Sequence, residues 1–308
     1  MGIGLIILSF FAIALMRVGQ KICSKKVSGE VEGKTFFHYG GYYSLLSTLF
    51  SLITLAIVGF SGFDALTVLC AFATAICLAI ELFASIEALK GASLIVNQMF
   101  SVGALFIPCV AGIFFFNEPM SLWQWLGLAL FCVAMYFMVA PSKKNCEQSS
   151  KKISFRTVVM LMITLLAGGG SMVAQKSFSK LVPQGNVAAY SFLMFALNAV
   201  ILYGCYGISF LRDRKKVAVS KEKKTSEKLS KSLLLCGLIL AFAVFVINML
   251  VTELGKSVDS AVLFSVSYGI SIVITILVGR ICYKEKIIYT NVIGIIMCVA
   301  ALAIINFL

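Results

Sequence analysis

Long apolar stretches separated by short polar connections dominate the chain. Ten of them approach the length, about 20 residues, that a helix needs to cross the hydrocarbon core of a bilayer. They are residues 2–19, 39–60, 65–86, 93–116, 121–140, 156–177, 187–209, 232–252, 260–282 and 288–307. Strands of a membrane barrel are shorter and alternate in polarity, so the pattern predicts an all-α integral membrane protein with ten transmembrane helices.

Composition and charge argue against a soluble or nucleic-acid-binding protein. The chain is 60% hydrophobic and only 13% charged, whereas a soluble domain carries about 25% charged residues. Its net charge of +13 comes from 26 Lys and Arg that lie mainly in the short connections, where they act as topology signals. The expected partners are the lipid bilayer and a small-molecule metabolite, without nucleic acid. The oligomeric state is left open, with a monomer as one alternative.

The distribution of basic residues predicts the topology. Connections after odd-numbered segments carry 23 of the 26 Lys and Arg, and those after even-numbered segments carry 3. By the positive-inside rule the odd connections are cytoplasmic and both termini lie outside. The basic loop 212–231 alone carries nine cations. It is either a simple topology signal or a docking site for anionic lipid or a partner.

The second half of the sequence repeats the first. Val18–Lys25 matches Val173–Lys180 at five of eight positions. Ordered matches continue along the chain: Tyr43-Ser44 with Tyr190-Ser191, Glu87-x-x-Lys90 with Glu253-x-x-Lys256, and Glu118 and Gly127 with Glu285 and Gly294. An odd number of crossings reverses the direction of the chain, so two five-helix copies lie in opposite orientations. The sequence therefore predicts two inverted five-helix repeats, residues 1–141 and 156–308, joined by a cytoplasmic linker at 142–155.

Inverted repeats of this kind are typical of transporters with a substrate site near the bilayer midplane. Under this interpretation Gln20 and Gln175 are symmetry-related positions at opposite mouths of one pathway. Lys176 and Lys180, two of the three cations expected outside, look like remnants of the duplication.

Two five-helix units with a glutamate motif before the last helix of each resemble a known family. The motif residues are Glu118-x-x-Ser121-x-x-Gln124-x-x-Gly127 and Glu285-x8-Gly294. They resemble the drug/metabolite transporter superfamily and, within it, the EamA-type ten-helix transporters of bacterial plasma (inner) membranes. The resemblance implies a cavity lined mainly by helices 1, 3, 4, 6, 8 and 9, with helices 5 and 10 peripheral.

The sequence departs from that family at two places. Members often carry proline in both the fourth and the ninth helix, but only Pro108 is present here, and the region near Ile274 has none. Ile288 also stands where the second half should match Ser121. The resemblance therefore does not extend to a proline hinge in the ninth helix.

The glutamate motif itself favours a structural role. Ser121 and Gln124 have the spacing of a capping box. Glu118 and Glu285 lie near helix N-termini, where a negative charge meets the helix dipole. Gly127 and Gly294 permit close contact between helices. A direct role in gating is the alternative.

Candidate binding residues are the polar side chains inside apolar segments. Glu81 is the clearest, because an ionisable group within the membrane is expensive to bury. It either faces the cavity, taking a proton or pairing with a cationic substrate, or reaches toward the cytoplasmic boundary. The further candidates are Asn97, Gln98, Ser101, Asn248, Ser265, Tyr268 and Ser271. Such residues also bond across helices without any functional role.

Gating and chemistry complete the expectations. Gln20, Gln175 and Gly169, the last within the Gly168–Gly170 triplet, are candidate gate or hinge positions, and the triplet is either flexible or tightly packed.

No HExxH motif, phosphate-binding loop or pair of intramembrane acids is present, so we expect no enzyme activity, metal or cofactor. The sequence predicts a secondary transporter, an exporter or facilitator with optional proton coupling. The alternative is a non-transporting sensor or assembly subunit that uses loop 212–231.

Overall fold

The computed structural model describes residues 33–60, 62–92, 94–118, 120–139, 154–217, 231–260, 263, 281 and 289–307. All regular structure in these residues is helical, which confirms the predicted all-α class. The helices are α1 (Gly33–Val58), α2 (Ala65–Ala88), α3 (Leu94–Gly103), α4 (Phe106–Phe116), α5 (Leu122–Val139), α6 (Phe155–Leu181), α7 (Val187–Val217), α8 (Lys231–Leu254) and α9 (Tyr289–Phe307). The predicted segment 2–19 and most of 260–282 lie outside the described residues.

Six stretches of the described chain are long and apolar enough to cross a bilayer. They are Phe37–Val58, Ala65–Ala88, Val96–Phe116, Phe155–Leu181, Val187–Leu211 and Gly237–Leu254. Large apolar side chains such as Leu69 and Phe114 lie exposed on them, as the lipid-facing side of a membrane helix requires. The chain is therefore a multi-pass helical membrane protein. Most predicted segment ends agree within a few residues, but α7 continues to Val217, into the predicted loop 212–231.

The predicted segment 93–116 is not one continuous α-helix. It divides at Ala104 and Leu105 into α3 and α4. Pro108 has no N–H to donate to the carbonyl of Ala104, so the regular hydrogen bond is missing there. The Ile107 N–H donates a hydrogen bond to the Ala104 carbonyl instead, at 3.1 Å, and the Leu105 N–H donates one to the Val102 carbonyl at 3.0 Å. These tighter turns interrupt the helix within the bilayer.

Three pairs of helices make the most extensive contacts. α1 lies along α7, α2 along α6, and α5 along α9. The contact between α5 and α9 is close at Gly127, where a β-carbon would lie 2.5 Å from Ile305 Cγ1. Gly294 of α9 is also buried. Met99, Phe131 and Leu302 belong to the core that joins α3, α5 and α9.

The described connections lie at two opposite ends of the bundle. At the first, named here the Glu118 end, Asn186 Nδ2 donates to the carbonyl of Gly59 at 2.7 Å, and Lys256 Nζ donates to that of Gly185 at 3.2 Å. At the other, the Glu87 end, the turn after α2 meets the start of α6. The approach there is close, because a β-carbon on Gly91 would lie 2.3 Å from Thr157 Oγ1.

Candidate functional site

Glu81 lies where three helices approach one another inside the bundle. A β-carbon placed on Gly168 of α6 would lie 3.3 Å from Glu81 Cδ and 3.2 Å from Ala104 Cβ. Because position 168 is a glycine, the Glu81 carboxyl can approach the backbone of α6. This contact lies beside the break between α3 and α4. An acid within an apolar span marks a functional site by default.

The glycine triplet of α6 is tightly packed. The helix runs without interruption through Gly168–Gly170. A β-carbon on Gly169 would lie 2.3 Å from Cδ1 and 2.6 Å from Cβ of Ile107, in the first turn of α4. Of the two interpretations of the triplet, close packing is the one that the contacts favour.

Three polar candidates of α3 are buried side by side. Asn97, Gln98 and Ser101 are each at most 5% exposed. Asn97 Nδ2 donates to Ser85 Oγ of α2 at 2.8 Å, and Ser101 Oγ donates to the Asn97 carbonyl at 3.2 Å. Asn97 Oδ1 has no hydrogen-bond partner within the described part of the chain. A buried acceptor left in this way is costly, so this oxygen is a polar candidate for contacting a ligand.

Gln175 and Asn248 belong to a polar seam between α6 and α8. Gln175 Nε2 donates to Thr252 Oγ1 at 2.6 Å and to the Asn248 carbonyl at 3.0 Å. Asn248 Nδ2 donates to the Val244 carbonyl of its own helix at 2.9 Å. Ser179 Oγ extends the seam to the Thr252 carbonyl at 2.8 Å. These bonds hold two helices together.

The remaining candidates lie outside the described residues. They are Gln20, Ser265, Tyr268, Ser271 and Glu285. Their assignments stay predictions.

A buried cluster of charges at the Glu118 end joins distant parts of the chain. Glu118 Oε1 lies 3.0 Å from Lys176 Nζ and 3.3 Å from Lys180 Nζ. Glu118 Oε2 accepts the backbone N–H of Ser260 at 2.9 Å. The Lys176 side chain is 0% exposed and that of Glu118 8%, whereas that of Lys180 is 31% exposed. Lys176 Nζ also donates to the carbonyl of Val258.

The turn after α4 aims Glu118 into this cluster. Asn117 ends the helix in the left-handed conformation with φ of 52°, which asparagine tolerates better than most residues. The Glu118 N–H then donates to the Gly112 carbonyl at 3.0 Å. A β-carbon on Gly112 would lie 2.7 Å from Glu118 Oε2, so glycine there leaves room for the carboxylate.

Electrostatics keep Glu118 ionised. Burial alone would raise the pKa of its carboxyl, but the hydrogen bonds from Ser260 and the ammonium group of Lys176 outweigh burial and lower that pKa below its ordinary value. A carboxylate held by donors and a cation retains its charge even away from water. The Glu118 carboxyl is therefore negatively charged at neutral pH.

Sequence reasoning missed this cluster. It assigned Glu118 to the dipole of the following helix and took Lys176 and Lys180 for remnants of a duplication. The two lysines are four residues apart in a helix and hence share a face, and that spacing is the signal that could have indicated an acidic partner. The predicted capping box is confirmed, since Ser121 N–H donates to Gln124 Oε1 at 2.9 Å and Gln124 N–H to Ser121 Oγ at 3.2 Å.

The third cation of the even-numbered connections is also paired. Lys256 Nζ lies 3.2 Å from Glu253 Oε2. All three cations that the charge distribution predicts outside thus contact a carboxylate, which reduces the net charge that this end presents.

An apolar groove of about 490 Å³ opens on the surface between α2, α4 and α6. Its lining includes the small residues Ala73, Ala111 and Gly170 and the larger Leu69 and Phe115. Such a surface suits hydrocarbon chains.

Comparisons with known proteins show the fold alone. One solved structure, named only "Crystal structure of protein", superposes with a TM-score of 0.63 at 12% sequence identity, covering 98% of this chain and 97% of its own. No protein-family model matches the sequence, and no curated protein matches it.

Proposed function

We propose that the chain is a secondary transporter, an exporter or facilitator, that moves small metabolites across a bacterial plasma membrane by alternating access. It would belong to the EamA-type transporters of the drug/metabolite transporter superfamily. The observation that carries the proposal is the ordered sequence repeat. If each half adopts either of two conformations, exchanging them converts one open state into the other at similar free energy.

The helix packing supports an inverted repeat. α1 and α7 are equivalent in the two halves, as are α5 and α9, and each lies along its own equivalent. The local structure also recurs at the ends of α2 and α8. Lys90 contacts Glu87 there, and Lys256 contacts Glu253, in both cases three residues apart. In this proposal the Glu87 end faces the cytoplasm and the Glu118 end faces outside, as the positive-inside rule predicts.

The described contacts suit alternating access. The Glu118 carboxylate of the first half binds Lys176 and Lys180 of the second, so this cluster closes one end of the bundle. The helix break at Ala104 and Leu105 lies beside Glu81, where substrate or a proton would meet the acid. Opening one end while closing the other requires contacts of this kind that form and break as units.

Proton coupling through Glu81 has a direct test. Glu81→Gln should abolish accumulation driven by a pH gradient in proteoliposomes while leaving substrate exchange intact. Unchanged pH-driven accumulation would remove Glu81 from coupling. Exchange that is lost as well would instead place Glu81 in substrate binding.

Transport itself is tested with reconstituted protein. Saturable flux or ligand-dependent thermal stabilisation is expected for at least one compound of a broad metabolite panel. The competing function is a non-transporting sensor or assembly subunit that docks through loop 212–231. Deleting 218–230 should leave flux unchanged if the protein transports, whereas loss of partner association without measurable flux in either protein would favour the sensor.

A further inference from the structure

The Glu118 cluster has the composition of a carboxylate-binding site. Two ammonium groups, those of Lys176 and Lys180, meet one oxygen of the Glu118 carboxylate at 3.0 and 3.3 Å. The backbone N–H of Ser260 donates to the other oxygen at 2.9 Å. Proteins bind free carboxylates with the same kinds of group, because ammonium groups attract the negative charge and backbone N–H groups donate hydrogen bonds to it. Glu118 therefore occupies a place that a carboxylate from another molecule could fill.

The buried side chains of the cluster are held in place by their contacts, and a ligand can reach them from the side of Lys180. Lys176 is completely buried, whereas Lys180 is 31% exposed, so Lys180 connects the buried site with the exterior of the Glu118 end. Gly112 lines the site without a side chain, and a β-carbon there would lie 2.7 Å from Glu118 Oε2. An incoming carboxylate of similar size would find the same space beside Gly112.

Opening the Glu118 end forces the carboxylate and the lysines apart. Glu118 belongs to the first half of the chain, while Lys176, Lys180 and Ser260 belong to the second. Separation leaves the buried ammonium of Lys176 without an anion, which is strongly unfavourable. A carboxylate ligand that replaces Glu118 removes this penalty, and a neutral ligand does not. Such a ligand therefore stabilises the open conformation selectively.

We propose that Lys176, Lys180 and the Ser260 N–H form a binding site for the carboxylate of a small metabolite, and that Glu118 is its internal competitor. The role of the site in opening rests on the proposed transport function, whereas binding of the carboxylate does not. The substrate class is accordingly small organic acids, including zwitterions that carry a carboxylate.

The test removes the negative charge of Glu118, the internal competitor, and measures how tightly a free carboxylate then binds. Glu118→Gln keeps the shape of the side chain and removes its charge. The probe is propionate, and propionamide is its neutral analogue. Propionate should bind the purified Glu118→Gln protein with an apparent affinity about tenfold or more above that of the wild type, because an internal competitor acts at high effective concentration. Propionamide should not distinguish the two proteins.

Two lysine variants supply the matched comparison. Lys180→Met, in the Glu118→Gln background, should abolish the gain in propionate affinity. Lys256→Met should preserve it, since Lys256 lies at the same end but pairs with Glu253. Equal binding of propionate and propionamide by Glu118→Gln, or a gain that survives Lys180→Met, would overturn the proposal.

A folding failure of Glu118→Gln does not remove the test. Lys180→Met and Lys256→Met are then compared in the otherwise wild-type chain. At propionate concentrations high enough to displace Glu118, weaker binding in the first variant alone supports the site, and equal binding in both contradicts it.

Flux measurements separate this inference from the proposed function. Transport of a neutral metabolite that is unaffected by Lys180→Met contradicts the proposed substrate class and the role of the site in opening, and leaves transport standing. Specific propionate binding without saturable flux for any metabolite contradicts transport and leaves the site standing.

Discussion

The two ends of α6 each hold a basic side chain against an acid from the first half of the chain, but in opposite surroundings. At the Glu87 end, Arg156 lies 2.9 Å from Glu87 with its side chain 74% exposed. At the Glu118 end, Lys176 lies 3.0 Å from Glu118 with its side chain 0% exposed. The distances are nearly the same, so geometry alone does not distinguish the pairs.

Burial separates them energetically. At the Glu87 end the exposed Arg156 exchanges its contact for water at little cost, and Glu87, whose side chain is 16% exposed, keeps its contact with Lys90. A buried pair separates only by leaving a charge without water or counterion. We therefore expect the Glu87 end to tolerate rearrangement and the Glu118 end to resist it unless another anion replaces Glu118.

The largest predicted effect is at the buried end. Lys176→Met should destabilise the protein by about 3–5 kcal/mol, because it leaves Glu118 buried beside the more distant Lys180. A pronounced fall in melting temperature in detergent is the measurement. The double variant Lys176→Met/Glu118→Leu should recover much of this loss, since replacing a whole buried pair by apolar groups is nearly neutral. Equal melting temperatures for the single and double variants would show that the two residues are not coupled.

The middle of α6 offers the next test. Gly169→Ala should destabilise by about 1–3 kcal/mol, because its methyl group would overlap Ile107, with Cδ1 2.3 Å away. The matched control is Gly204→Ala in α7, where nothing lies within 4 Å of the new β-carbon. That change should stabilise by about 0.5–1 kcal/mol through helix propensity. Similar stability of the two variants would contradict the packing of α4 on α6.

The helical spans were predictable from the sequence, and the contacts between them were not. Length and hydropathy decide where a chain can cross a bilayer, so predicted and observed ends agree closely for α2, α5 and α9. The break at Ala104 and Leu105 also depends on packing. The missing backbone N–H of Pro108 can be read from the sequence, whereas the close contact of Ile107 with Gly169 of the neighbouring helix appears only in the structure.

The charge cluster shows the same limit. Glu118 and Lys176 were both noted in the sequence and assigned separate local roles. Their contact depends on how α6 crosses the turn after α4, which no periodicity in the sequence records. Asn97 was noted in the sequence as a polar residue within a span, and its role in binding stays a prediction. Its bond to Ser85 likewise required the packing of α2 against α3.

A smaller effect is expected from acid. The carboxyl of Glu118 has a pKa below its ordinary 4.5, because donors and Lys176 outweigh its burial. A depressed folded-state pKa contributes stability above the unfolded pKa, and this stability is lost as the pH falls through the folded value. The melting temperature should therefore fall below about pH 4.5. Glu118→Gln should flatten that part of the profile, and an unchanged profile would contradict the assignment.

The smallest effect belongs to the exposed end. Arg156→Gln should change the stability by no more than about 1 kcal/mol, because water replaces the guanidinium contact with Glu87. This small loss should vanish near 1 M salt, where the screening length falls to about 3 Å. The loss caused by Lys176→Met should persist there, since salt does not enter a buried contact. Melting temperatures of both variants at low and high salt make the measurement. If high salt reduced both losses equally, the buried end would be as accessible as the exposed one, and Glu118 would have no role in closing the bundle.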